Sequence, residues 1–112
     1  MSRAKGNRAA GWVANYLTRW WPHAEPTPNG RPGADILNTP GVAWEVKTGF
    51  PWRSEWMDQA ARNGHGNLAP VVYLPPGCGE RNVDRAYAII PLRVMMGILT
   101  EAGYAPKPEG ET

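Results

Sequence analysis

The stretch Gly33-Ala34-Asp35-Ile36-Leu37-Asn38-Thr39-Pro40-Gly41-Val42-Ala43-Trp44-Glu45-Val46-Lys47 decides how the rest of the chain is read. Ala34 to Asn38 and Val42 to Lys47 read as two strands, joined by the turn residues Thr39-Pro40-Gly41. In the second, Val42, Trp44 and Val46 alternate with Ala43, Glu45 and Lys47. One face is therefore large and apolar, expected to pack on a helix, and the other carries Glu45 and Lys47 side by side. A hairpin puts Asp35 opposite Glu45 when three residues close the turn, and one position along when two do. Two carboxylates and an ammonium in that arrangement can hold a hard cation and offset charge developing on a phosphate. A plain surface hairpin with a weak Glu–Lys ion pair contains the same triplet. The preceding Asp, the apolar strand face and a basic first helix favour the site.

Outward from this stretch, Ala4 to Trp20 reads as an amphipathic helix with Val13, Tyr16, Leu17 and Trp20 at helical spacing, Ser2 as its cap and Pro22 as its stop. His23 to Pro28 contains two prolines within an extended piece, which suits an edge strand alone. Ser54 to Asn63 reads as a second helix, with Ser54 as N-cap and Gly64 just past its end. Ala69 to Leu74 is a short buried strand, 75–85 a loop, and Ala86 to Ile90 another strand. Pro91 opens a third helix that presents Leu92, Met95, Met96 and Leu99 on one face and stops at Gly103. These apolar residues are expected in the core, with a dimer seam as the second reading. The order predicts an α/β (α+β) fold, a mixed sheet of about four to five strands flanked by helices (αβββαββα).

A chain of 112 residues has room for one core. The domain is assigned to 1–105, with 106–112 as a flexible tail. Six Trp, four Tyr and one Phe supply large apolar pieces. No apolar run approaches the ~20 residues of a membrane span, and no signal segment opens the chain, so a cytoplasmic protein is expected. The single Cys78 has no cysteine partner for a disulfide or a structural zinc site. The net charge of +2 is unevenly spread. Residues 1–33 carry five bases against one acid (+4), and 34–112 seven bases against nine acids (−2). A basic first third beside an acidic remainder suits a phosphate-binding face next to a carboxylate site.

Five segments together carry a resemblance: Lys5-Gly6-Asn7-Arg8, Gly33-Ala34-Asp35-Ile36, Pro40-Gly41-Val42, Trp44-Glu45-Val46-Lys47 and Trp56-x-x-Gln59-Ala60. In these the chain, from Lys5 to about Leu99, resembles the small PD-(D/E)XK endonucleases of bacteriophages, described as Holliday junction resolvase-like. The resemblance implies a restriction-endonuclease-like core and Mg²⁺-dependent cleavage of branched double-stranded DNA by a homodimer, in an infected bacterial cell, with Mn²⁺ as a substitute metal. Asp35 and Glu45 match the metal-binding acids, assisted by the Val46 carbonyl, Lys47 matches the catalytic lysine, and Gln59 the polar residue on the following helix. Lys5, Arg8, Arg31 and Arg53 are the expected phosphate contacts. One departure stands out. Relatives often place a Glu in the first helix, whereas this chain has Arg8-Ala9-Ala10-Gly11 there and no acid in residues 1–24. Glu25, or Glu55 and Asp58, are the candidates to replace it.

A flap, replication-type or nicking nuclease of the same superfamily would carry the same motif, and a catalytically silent DNA-binding module could keep the fold. His23 and His65 lack ligand spacing and read as loop residues. Trp52 and Trp56, beside Arg53, could stack on bases. Arg81, Asn82 and Arg85 read as solvated or phosphate-facing.

Overall fold

The computed structural model describes residues 3–110, with side chains from Asn7 onward. Ser2 as a cap, Lys5 as a phosphate contact and the last two tail residues lie outside what is described. The elements run α1 (Arg3–Leu17), β1 (Glu25–Pro26), β2 (Ile36–Leu37), β3 (Glu45–Thr48), α2 (Glu55–Gly64), β4 (Val71–Leu74), a 3₁₀ helix at Glu80–Arg85, β5 (Tyr87–Ile89) and α3 (Leu92–Glu101). This is an α+β domain whose main elements follow the expected order. The 3₁₀ helix replaces part of the expected 75–85 loop.

Among the described residues five strands form, but in two sheets rather than one. β3, β4 and β5 make a mixed sheet in that order, with β3–β4 parallel and β4–β5 antiparallel. β1 and β2 pair antiparallel, Glu25 opposite Leu37 and Pro26 opposite Ile36. The expected hairpin between 34–38 and 42–47 does not form. At the bend, the Val42 N–H donates to the Thr39 carbonyl, and the Thr39 hydroxyl donates to the Val42 carbonyl. Gly41 sits there at φ +86°, a conformation that glycine adopts without a Cβ penalty. The chain then turns toward Leu68, whose carbonyl accepts the Ala43 N–H at 2.7 Å. β3 is thereby delivered to β4, and β2 to the proline-containing edge β1.

The apolar face of β3 behaves as its alternation requires. Val46 joins Val72 and Leu74 of β4 and Ile36 of β2 beneath Ala9, Val13, Ala14 and Leu17 of α1. These α1 positions recur at helical spacing and form one buried stripe. Each buried Val or Leu contributes about 1.5–3 kcal/mol. α1 ends three residues before the expected Trp20, which is 58% exposed. The Thr18 hydroxyl bonds the Asn15 carbonyl, and the Trp20 and Trp21 N–H groups both fall on the Leu17 carbonyl, tightening the last turn. Trp21 instead meets Trp44 edge to face, with centroids 6.2 Å apart.

α2 covers the opposite face of the sheet. Ser54 precedes it, but its side chain makes no capping bond. Gly64 is the last helical residue rather than the stop, and the chain leaves through His65 (φ +48°) and Gly66 (φ +88°). α3 overturns the core expectation, for none of its residues is buried. Its pattern is amphipathic, yet the first part of the chain already closes both faces of the sheet. Leu92 is 76% exposed, and Met95, Met96 and Ile98 are exposed as well. Among the described residues no helix is long and apolar enough to cross a membrane.

Gly64 packs closely against the segments that lead into β3 and β4. A Cβ there would lie 2.9 Å from the Ala69 Cβ and 3.7 Å from that of Ala43. Gly64→Ala should therefore destabilise the fold by about 1–3 kcal/mol through overpacking, despite alanine's better helix propensity. Urea unfolding of the two proteins measures the difference.

Candidate active site

β3 is the edge strand of its sheet, so the Val46 N–H faces away from β4. The Glu45 N–H donates inward to the Pro70 carbonyl at 3.0 Å. The Val46 N–H points to the other edge, where the Asp35 carboxylate accepts it through Oδ2 at 2.7 Å. Asp35 is itself held by its own N–H, which donates to the Trp44 carbonyl at 2.8 Å. The Thr27 hydroxyl bonds the Ala34 carbonyl just before it at 2.7 Å. Asp35 thus reaches the position beside β3 that the hairpin was expected to supply, by a side-chain bond in place of a ladder.

Glu45 and Lys47 share the β3 face that looks at α2. Glu45 is only 2% exposed. Its Oε1 accepts from Asn63 Nδ2 at 3.2 Å, and its Oε2 lies 3.6 Å from Lys47 Nζ. Lys47 Nζ in turn donates to Gln59 Oε1 at 2.8 Å. Gln59 and Asn63 are four apart on α2, so both project from one face onto the two β3 side chains. Asp35, Glu45, Lys47 and Gln59 are brought together as expected. Asn63 was missed, although its spacing from Gln59 was visible in the sequence. Val46 contributes its N–H in the observed contact. In a strand a residue's carbonyl leaves by the same edge as its N–H, which puts that of Val46 on the Asp35 side.

Both carboxylates sit above their ordinary pKa. Burial raises Asp35 most, against the lowering effect of the Val46 hydrogen bond and of Lys47. Glu45 is raised by burial and then by the Asp35 charge, which Asn63 and Lys47 oppose in part. Both carboxylates are therefore harder to ionise than in water, chiefly because burial strips their solvation. Among the described residues no third Asp, Glu, His or Cys joins the pair. Glu25, Glu55 and Asp58, all exposed, do not complete the shell. Two carboxylates and a main-chain carbonyl are the groups that could hold a hard cation here, with water filling the remaining positions.

Aromatic rings wall the site. Trp52, Trp56 and Tyr73 pack mutually with centroids 5.1–5.8 Å apart, and Lys47 Nζ lies 5.9 Å from the Trp56 centroid. The Tyr73 hydroxyl donates to the Gly49 carbonyl and pins the segment after β3. Of the expected phosphate contacts, Arg8, Arg31 and Arg53 are exposed and make no ion pair among the described residues. Arg31 lines a groove with Gly33, Asn63, Gly64 and His65. His23 and His65 are exposed loop residues. No family model matches this chain, and neither a curated protein nor a solved structure matches it.

Two outcomes follow from the site's electrostatics. The folded chain holds the Asp35 and Glu45 protons more tightly than the unfolded chain. The resulting penalty is absent below the ordinary carboxylate range and complete above the raised values, so stability falls as pH rises between them. Thermal melts in EDTA should show that fall. Asp35→Asn, which keeps an acceptor for Val46, should flatten it, and millimolar Mg²⁺ should raise the melting temperature on the alkaline side. Asn63→Ala should cost about 1–3 kcal/mol, because a buried carboxylate loses a donor. Chemical denaturation measures that loss.

Proposed function

We propose that this protein is a Mg²⁺-dependent, structure-selective DNA endonuclease of the PD-(D/E)XK type, acting on four-way junctions as a homodimer during phage DNA processing. The observation that carries the reading is the convergence of Asp35, Glu45 and Lys47 on one side of β3, with Lys47 Nζ 3.6 Å from Glu45. The α+β arrangement agrees with this reading only at the level of fold class.

Hydrolysis of a phosphodiester needs a deprotonated water, compensation of charge on the phosphorus centre and stabilisation of the leaving oxygen. Asp35, Glu45 and the Val46 carbonyl are the residues that would hold Mg²⁺, which supplies positive charge at the scissile phosphate and acidifies the attacking water. Lys47 stands next to Glu45 with its ammonium fixed by Gln59, so it can orient the water and offset charge on the phosphate without reorganising. Asn63 and the Val46 N–H hold the two carboxylates in place. Arg8, Arg31 and Arg53 would contact phosphates irrespective of sequence, making binding fall with salt. A two-fold dimer provides the two sites that symmetric junction cleavage requires.

The alternative of a silent DNA-binding module draws on the two-carboxylate site, which gathers no third acid among the described residues. Cleavage of a labelled four-way junction separates the two. Wild-type protein with Mg²⁺ should cut, and Lys47→Ala should cut about 10²–10³-fold more slowly while binding equally. Equal cleavage by both would assign the activity to other residues. Tight binding with no cleavage by either would establish the silent module. Forked, flapped and linear DNA run alongside resolve which nuclease type it is.

A further inference from the structure

α3 stands apart from the packed body. None of its residues is buried, and large apolar side chains are exposed along it. The Cα radius of gyration, 14.9 Å, exceeds the roughly 13 Å ordinary for a domain of this length, and the molecule measures 49 × 31 × 27 Å. An apolar helix with no buried face lacks the partner that normally stabilises it.

Its midpoint is a glycine. Gly97 weakens the helix by about 1 kcal/mol relative to alanine, yet a Cβ at that position would meet nothing within 4 Å. No contact inside the chain explains it. Gly97 forms part of a shallow groove with Val94, Ile98, Glu101 and Ala102. The only charged residues of α3, Arg93 and Glu101, stand four positions on either side of Gly97, opposite in sign. Both are exposed and make no ion pair among the described residues. Arg93, Val94, Gly97, Ile98 and Glu101 share one face by helical spacing.

We infer that this face is the homodimer surface, with the α3 helices of two copies crossing antiparallel at Gly97. A two-fold axis there sets Arg93 of each copy against Glu101 of the other. A parallel pair would oppose like charges. Absence of a Cβ at Gly97 lets the two backbones approach, and the Val94 and Ile98 side chains of both copies close over the crossing. This deepens the proposed two-site body by naming its surface, and rests on that reading only for the purpose of the dimer.

Sedimentation equilibrium on the full chain tests it, with mass rather than cleavage as the readout. Wild-type protein should sediment at twice the chain mass of 12.3 kDa. Arg93→Glu and Glu101→Arg should each weaken dimerisation at least about tenfold, and the two together should restore it. In a Cys78→Ser background, Gly97→Cys should crosslink to itself under mild oxidation, whereas Arg93→Cys should not. A monomer at all concentrations would overturn the inference, even if it associates with lipid vesicles or DNA. A dimer indifferent to the charge reversals and not crosslinked at position 97 would overturn it as well. An inactive dimer that follows the charge swap keeps this surface and refutes the nuclease reading. An active monomer does the reverse.

Discussion

The Val46 N–H donates to a carboxylate instead of to a neighbouring strand, and the arrangement of the site depends on that bond. β3 lies at the edge of its sheet, where an unpaired N–H invites either water or another chain. Asp35 occupies the place by a side chain only two bonds long past its Cβ. One contact therefore closes the sheet edge and brings the first acid next to the second. The loop 38–43 has to bend sharply for this, which accounts for Gly41 and for the Thr39 hydroxyl turned back on Val42.

Around that bond, the two faces of β3 have separate duties. Val46 points into the apolar layer under α1, and Glu45 and Lys47 point at α2. Burying Glu45 almost completely is costly unless its charge is compensated. The compensation comes from two directions: an amide from Asn63 and an ammonium from Lys47. Burial and the neighbouring Asp35 charge still outweigh Asn63 and Lys47 and leave the Glu45 pKa raised. A site tuned only for stability would have packed an apolar side chain there. Glu45 is buried and Asp35 half-buried beside it, so the two carboxylates raise each other's cost of ionising.

α2 had a double role that its sequence expressed unevenly. Its Gly64 admits close packing against Ala69, and its polar face delivers Gln59 and Asn63 to the two charged side chains of β3. The rings of Trp52, Trp56 and Tyr73 then bound the Lys47 side, restricting where the ammonium can move. Rigid placement of this kind is what electrostatic stabilisation of a reacting phosphate requires.

Period-two alternation in Val42–Lys47 was enough to place Glu45 and Lys47 on one face and Val46 on the other, because side-chain direction along a strand is a local property. Helical spacing likewise identified α1, α2 and α3 to within a few residues. Strand partners were not legible in the same way. Whether 42–47 pairs back on 34–38 or forward on 71–74 depends on competition between distant segments for the same hydrogen bonds, and only the folded chain resolves it. α3 shows the same limit from the other side: a periodic apolar pattern states that a face needs cover but carries no information about what covers it. The Val46–Asp35 bond belongs to this second category, since it arises where separate elements meet, whereas the spacing of Asn63 from Gln59 was there to be read.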